Sequence, residues 1–222
     1  MTTRSLRATF DREFNEVRQD LTKMGTMVTE AIRHAIEALK ERDTRLAEEV
    51  VANDQQINQK RFQIEEACLE LIATQQPTAS DLREVVAIMH MVVEMERMGD
   101  YAAGIAKTVI MMEDEPLLKT MKRIPRMGEI SCQMLTDSLQ AFEKRDMEWA
   151  RQIAARDSEI DELYQEVFRR LIKIMAKEPD MVTRCTYLMW CAHNVERIAD
   201  RVTNIAEQII FINTGDLGEL HV

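Results

Sequence analysis

Glu94-Met-Glu-Arg-Met-Gly-Asp100 and Asn194-Val-Glu-Arg-Ile-Ala-Asp200 follow one pattern, one hundred positions apart. Working outward, Ile105-Ala106 returns as Ile205-Ala206 at the same offset. Upstream, Ala38-Leu-Lys-Glu-Arg-Asp43 returns as Ala141-Phe-Glu-Lys-Arg-Asp146, now 103 positions on. At that larger offset Val50, Ile57, Ile64 and Leu71 become Ile153, Ile160, Val167 and Ile174. The drift from 103 to 100 fits a shortened turn around Pro179. So regular a correspondence marks an internal duplication, and the fold is one unit built twice.

That unit is helical. The chain has 222 residues, of which 45% are hydrophobic and only 5% aromatic, with six glycines and four prolines. Such scarcity of turn residues starves a β-sandwich, a barrel or a glycine-rich nucleotide-binding sheet. From Ser5 to Arg42, Phe10, Phe14, Val17, Leu21, Met24, Val28, Ala31, Ala35 and Leu39 recur in steps of three and four, the seam of a bundled helix. Asp43 can cap a second helix reaching about Ala73. Pro77 then breaks the chain, and Thr78 or Ser80 caps a third helix ending near Glu113. The stretch around Pro116 and Pro125 reads as a linker. The expectation is an all-α protein of two tandem antiparallel three-helix bundles, residues 1–117 and 118–222.

Composition narrows function. The formal net charge is −10, without the basic stripe of a nucleic-acid binder, so cations are the more natural ligands. The N-terminal residues lack a signal-peptide core, and the longest nearly apolar run, Val85–Val93, is too short to span a bilayer, so a cytoplasmic chain without membrane insertion is expected. Cys68, Cys132, Cys185 and Cys191 form no CxxC and read as reduced core residues. No Walker loop, GxGxxG, GxSxG or Glu-x-x-His occurs, so no enzyme is predicted. His90 and His193 read as ordinary helix histidines. The sixteen methionines are either core filler or an adaptable face for a partner helix.

What stands out is carboxylates four apart: Glu96/Asp100, Glu196/Asp200 and Asp157/Asp161, with Asp54/Asn58 at the position equivalent to the last. Such pairs share a helix face, and like charges there repel mildly unless something positive intervenes, Arg97 or Arg197 being at hand. Asn58 and Glu96 each lie nineteen residues from Pro77, and Asp54 and Asp100 each twenty-three. Around Pro179, Asp161 and Glu196 stand eighteen and seventeen away, Asp157 and Asp200 twenty-two and twenty-one. Equal distance from a hairpin apex means equal height, so each half can gather four oxygen-bearing side chains on two neighbouring helices. Small Gly99 and Ala199 would let the backbones approach. A cluster of oxygens without His or Cys suits Mg²⁺, Mn²⁺, Ca²⁺ or iron.

Gln76-Pro-Thr-Ala-Ser-Asp-Leu-Arg83, Glu96-Arg97-Met98-Gly99-Asp100 and Asn194–Asp200 followed by Thr203-Asn-Ile-Ala-Glu207 resemble the PhoU family of bacterial phosphate-uptake regulators. The resemblance runs through the closing Phe211-Ile-Asn-Thr-Gly215. It implies two three-helix bundles bearing E/D-x-x-x-D motifs that hold metal ions, often as clusters. Those motifs fall on Glu96, Asp100, Glu196 and Asp200, with Asp54, Asp157 and Asp161 as second-helix contributors. It further implies a negative regulator of the phosphate-starvation response that couples the phosphate ABC transporter ATPase to a membrane sensor histidine kinase, acting in the cytoplasm or at the inner face of the membrane through those partners. Two departures stand out: Arg201 where many relatives have His, and Asn58 where the second half has Asp161. Separately, the methionine-rich helices and the two-fold repeat suggest a homodimer. Two rival functions are a metal-dependent hydrolase of phosphate esters and a structural protein whose divalent cations only neutralise acid clusters.

Overall fold

The computed structural model describes residues 3–112 and 122–216. Among the described residues are seven α-helices: α1 (Thr3–Glu41), α2 (Thr44–Gln75), α3 (Ala79–Met111), α4 (Arg123–Lys144), α5 (Met147–Ala154), α6 (Asp157–Lys177) and α7 (Val182–Thr214), with a 3₁₀ turn at Pro179–Met181. No strand occurs among the described residues. The first bundle is α1–α2–α3; α4, α5–α6 and α7 make the second. The part of the expected linker around Pro116, with the proposed boundary between residues 117 and 118, lies outside the described residues, whereas Pro125, expected in the same linker, stands in the first turn of α4, where its missing N–H has no helical partner to lose.

The recurrent Lys/Glu-Arg-Asp strings are helix stops fused to helix starts. Arg42 and Arg145 take left-handed backbone angles, φ 61° and 53°. The following Asp43 and Asp146 N–H groups reach back to the carbonyls of Ala38 and Ala141 at 3.1 and 2.9 Å, a Schellman closure built on arginine instead of glycine. Each aspartate then caps the next helix, its Oδ1 accepting from Leu46 N at 2.9 Å or Trp149 N at 3.0 Å.

One difference from the sequence expectation is the second repeat's middle arm, which breaks at Ala155–Arg156 where α2 runs on unbroken. Arg156 N bonds Ile153 O at 3.1 Å and Glu159 N bonds Arg156 O at 3.1 Å, one turn of tighter winding. Ser158 Oγ donates to Ala155 O at 3.0 Å, the local bonding by which Asp and Ser compete with a continuing helix. Asp157 therefore stands in the first turn of α6, not in mid-helix.

One apolar core unites both repeats. The α1 seam residues Phe10, Phe14, Val17, Leu21, Met24, Val28, Ala35 and Leu39 are buried, with Ala31 half-buried. Met91, Met95, Met98 and Met112 on the third helix are buried as well, Met89 is half-buried and Met111 is exposed. Most of that methionine run is core. The four cysteines are free and buried.

The repeats meet antiparallel, related by a pseudo-two-fold axis. On α3 and α7, Gly104 faces Asn194 while the repeat-equivalent pair is Glu94 with Asn204, whose Nδ2 donates to Glu94 Oε2 at 2.9 Å. On α1 and α4, Gly25 receives Leu139 and its equivalent Gly128 receives Ile36, equivalent to Leu139. A Cβ at Gly128 would stand 2.7 Å from Ile36 Cγ1, so these two glycines permit the close approach of α1 and α4. Opposite charges also cross between repeats. Buried Glu84 of α3 takes Arg145 at 2.5 Å and Arg18 besides. No helix among the described residues is long and apolar enough to cross a membrane.

Candidate metal centres

The hairpins bring the expected side chains to matching heights. In the first repeat Asp54 of α2 feels Asp100 of α3, and Glu96 feels both. In the second, Asp157 of α6 feels Asp200 and Glu196 of α7 together with its own neighbour Asp161, and Asp161 feels Glu196. Asn58 folds back on its own helix, its Nδ2 3.3 Å from Asp54 O and 3.4 Å from Asp54 Oδ2. Gly99 faces α2, and a Cβ there would stand 3.1 Å from Ile57 Cδ1 and 3.3 Å from Asp54 Oδ1.

Burial and mutual repulsion raise the pKa values of these acids. Asp54 is raised above the ordinary carboxylate range by burial first and the Asp100 charge second. Glu96 is raised by burial and Asp100, against the pull of Arg61. Asp157 is pushed up to about 6, by burial first, then by Asp200, Asp161 and Glu196, with Arg197 opposing. Asp161 and Asp200 rise for the same two reasons, burial leading and Glu196 next. Asp54 Oδ1 and Asp157 Oδ1, equivalent in the repeat, are both buried without a hydrogen-bond partner. An orphaned carboxylate oxygen among other carboxylates is what a hard cation satisfies, and the donor set is all oxygen.

Arginines stand against both clusters. Arg197 holds Glu196 through two bonds of 2.7 Å and reaches Asp200 Oδ2 at 3.0 Å. His193 Nδ1 lies 3.4 Å from Glu196 Oε2. The sequence offered Arg97 for the same task in the first repeat, but Arg97 pairs with Glu94 at 2.9 Å. Arg61 of α2 serves instead, 3.3 Å from Glu96 Oε1 and 3.0 Å from Glu65 Oε1. Its equivalent in the second repeat is Tyr164, whose hydroxyl is pushed up by burial and by Glu196. Among the described residues, no three His, Cys, Asp or Glu side chains stand close enough to hold a metal ion. Arg201, standing where many relatives have His, holds Glu94 Oε2 of α3 through its Nη1 at 3.1 Å, and its charge opposes the rise at Asp200.

The fold and the paired acid clusters define a class: a duplicated three-helix protein carrying a carboxylate cluster on each middle-and-last hairpin. The PhoU domain model matches residues 21–109 and again 124–209. A protein of Streptococcus pneumoniae named phosphate-specific transport system accessory protein PhoU homolog is 35% identical over 216 residues, covering 97% of this chain and all of that protein. Proteins of the same name from Clostridium acetobutylicum and Caulobacter vibrioides are 33% and 36% identical, covering 97% and 93% of this chain and 99% and 90% of their own lengths. The crystal structure of the phosphate transport system regulatory protein PhoU from S. pneumoniae superposes with a TM-score of 0.89 at 34% identity, over 95% of this chain and all of that one. PhoU from Pseudomonas aeruginosa gives 0.88 at 33%, over 93% of this chain and all of that one. This chain belongs to the PhoU family.

Proposed function

We propose that the chain is an accessory and regulatory protein of phosphate transport that restrains phosphate uptake and the phosphate-starvation response when phosphate is plentiful. The observation that carries this reading is full-length membership of a family whose relatives are named as accessory and regulatory proteins of phosphate transport. In this reading it works by contact and not by turnover, joining the phosphate ABC transporter ATPase to a sensor histidine kinase at the inner face of the cytoplasmic membrane. Divalent or multinuclear Mn, Mg or Fe, held by Asp54, Asn58, Glu96 and Asp100 and by Asp157, Asp161, Glu196 and Asp200, would neutralise the two clusters and brace the hairpins. Two copies associate. The raised carboxylates and the orphaned oxygens of Asp54 and Asp157 support the metal part.

The test is genetic and biochemical together. Deleting the gene in its host should raise phosphate-starvation gene expression in high phosphate, and a tagged copy from phosphate-replete cells should retain the transporter ATPase and the kinase. Unchanged expression in the deletion strain would overturn the reading. Mn²⁺-dependent hydrolysis of phosphate esters, lost in Glu96→Ala, would favour an enzyme instead.

A further inference from the structure

The outer faces of α2 and α6 are the same face of the repeat with the charge reversed. On α2, Glu66, Leu69, Glu70 and Ala73 lie at the i, i+3, i+4, i+7 spacing of one stripe, and all four are exposed. The equivalent residues of α6, 103 positions on, are Arg169, Ile172, Lys173 and Ala176, again all exposed. Each glutamate is answered by a basic residue and the leucine by isoleucine. Leu69 is 57% and Ile172 46% exposed, and each stripe is flanked by an exposed aromatic ring, Phe62 or Phe168. Among the described residues, Glu66, Glu70, Arg169 and Lys173 have no ionic partner.

We propose that the α2 stripe of one copy docks on the α6 stripe of a second copy. This deepens the self-association within the proposed function and rests on it. Both complementary surfaces are present in this one chain, so the occupant is identified by charge: an acidic stripe around Leu69 meets a basic stripe around Ile172, with the phenylalanines closing over the apolar centre. Opposite charges at the rim set register and partner choice, while the desolvated apolar residues hold the pair. Because the two faces differ, the contact is heterologous. It closes as a dimer when a two-fold axis lets both faces engage at once, and otherwise extends into chains.

Sedimentation equilibrium at low ionic strength tests it, on wild type, Glu66→Lys/Glu70→Lys and Arg169→Glu/Lys173→Glu. Wild type should sediment as a species heavier than the 25.8 kDa chain, dissociating as salt is added. Each double variant carries like charge on both faces and should associate about tenfold more weakly or worse. Mixing the two variants in equal amounts should restore association, which also shows that both are folded. Wild type that associates with neither variant altered would overturn this interface and leave self-association standing. A wild type that remains at 25.8 kDa would overturn both. A monomer that co-sediments with phosphatidylserine vesicles through Arg169 and Lys173 would give the basic stripe to a membrane and overturn the proposal.

Discussion

The two carboxylate clusters occupy equivalent places in the duplicated unit yet are neutralised from opposite sides. In the first, Arg61 reaches across from α2 to Glu96; in the second, Tyr164 fills that position and Arg197 closes on Glu196 and Asp200 from α7 itself. The first has Asn58 where the second has Asp161. Three carboxylates opposed by Arg61 and Lys107 thus face four carboxylates opposed by Arg197 and Arg201. In the second cluster burial and repulsion raise Asp157 to about 6. Duplication preserved the geometry and let the electrostatics diverge.

The largest expected effect lies where the repeats lock together, because the lock is also unequal. Glu84 is buried between Arg18 and Arg145, whereas the equivalent position of the second repeat holds Arg184. Replacing both arginines with methionine leaves an uncompensated buried carboxylate. Chemical denaturation should then show a loss of about 3–5 kcal/mol. Arg126→Met in the second repeat, whose partners Glu129 and Glu159 are exposed, should cost far less. Equal losses would break the distinction.

Next comes metal-linked stability. A cation binding only the native state adds about 2.7 kcal/mol at one hundred times its dissociation constant, so Mn²⁺ should raise the melting temperature. Asn58→Asp should enlarge that rise, since it gives the first cluster its fourth carboxylate. A rise unaltered by Asn58→Asp would remove Asn58 from the site.

A smaller effect concerns Asp157 without metal. Its folded pKa of about 6 lies above the ordinary carboxylate value, so between those two pH values the native state binds more protons than the unfolded one. The contribution of Asp157 to stability is therefore fully present below the ordinary carboxylate value and is lost as pH rises through 6, levelling off above. Because the group is half-exposed, solvent screening reduces the penalty at neutral pH to the order of 1 kcal/mol. Asp157→Asn should recover that amount at pH 7.5 and flatten the profile, as read from denaturation midpoints.

Smallest of all is thiol chemistry. Burial pushes Cys68 and Cys191 up to about 12 and Cys132 to about 11, so native protein at pH 8 should resist iodoacetamide for hours while denatured protein reacts within minutes.

Much of this was legible before any coordinates. Asp43 announced its cap, Pro77 and Pro179 fixed the hairpin apices, and counting residues from them placed Asp54 beside Asp100 and Asp157 beside Asp200. Counting heights cannot say which way a long side chain turns, and so Arg97 was the natural candidate where Arg61 does the work. The break at Ala155–Arg156 has no glycine or proline to mark it. The antiparallel seam was not legible: Gly25 and Gly128 are repeat equivalents, as are Ile36 and Leu139, but equivalence does not say which residue meets which. Only packing reveals that each glycine receives the other repeat's aliphatic side chain.

The central claim is that each hairpin gathers oxygens to hold a hard cation. A calorimetric titration of Mn²⁺ at pH 7.5 tests it most directly, on wild type, Glu96→Ala/Asp100→Ala, Glu196→Ala/Asp200→Ala and the four-fold variant. The account predicts that each double variant loses one repeat's binding and keeps the other's. The second pair should remove the tighter class, and the four-fold variant should give no binding heat. Wild-type heats no larger than those of the four-fold variant would contradict it, leaving Arg61 and Arg197 as the permanent counterions of two acidic helix faces.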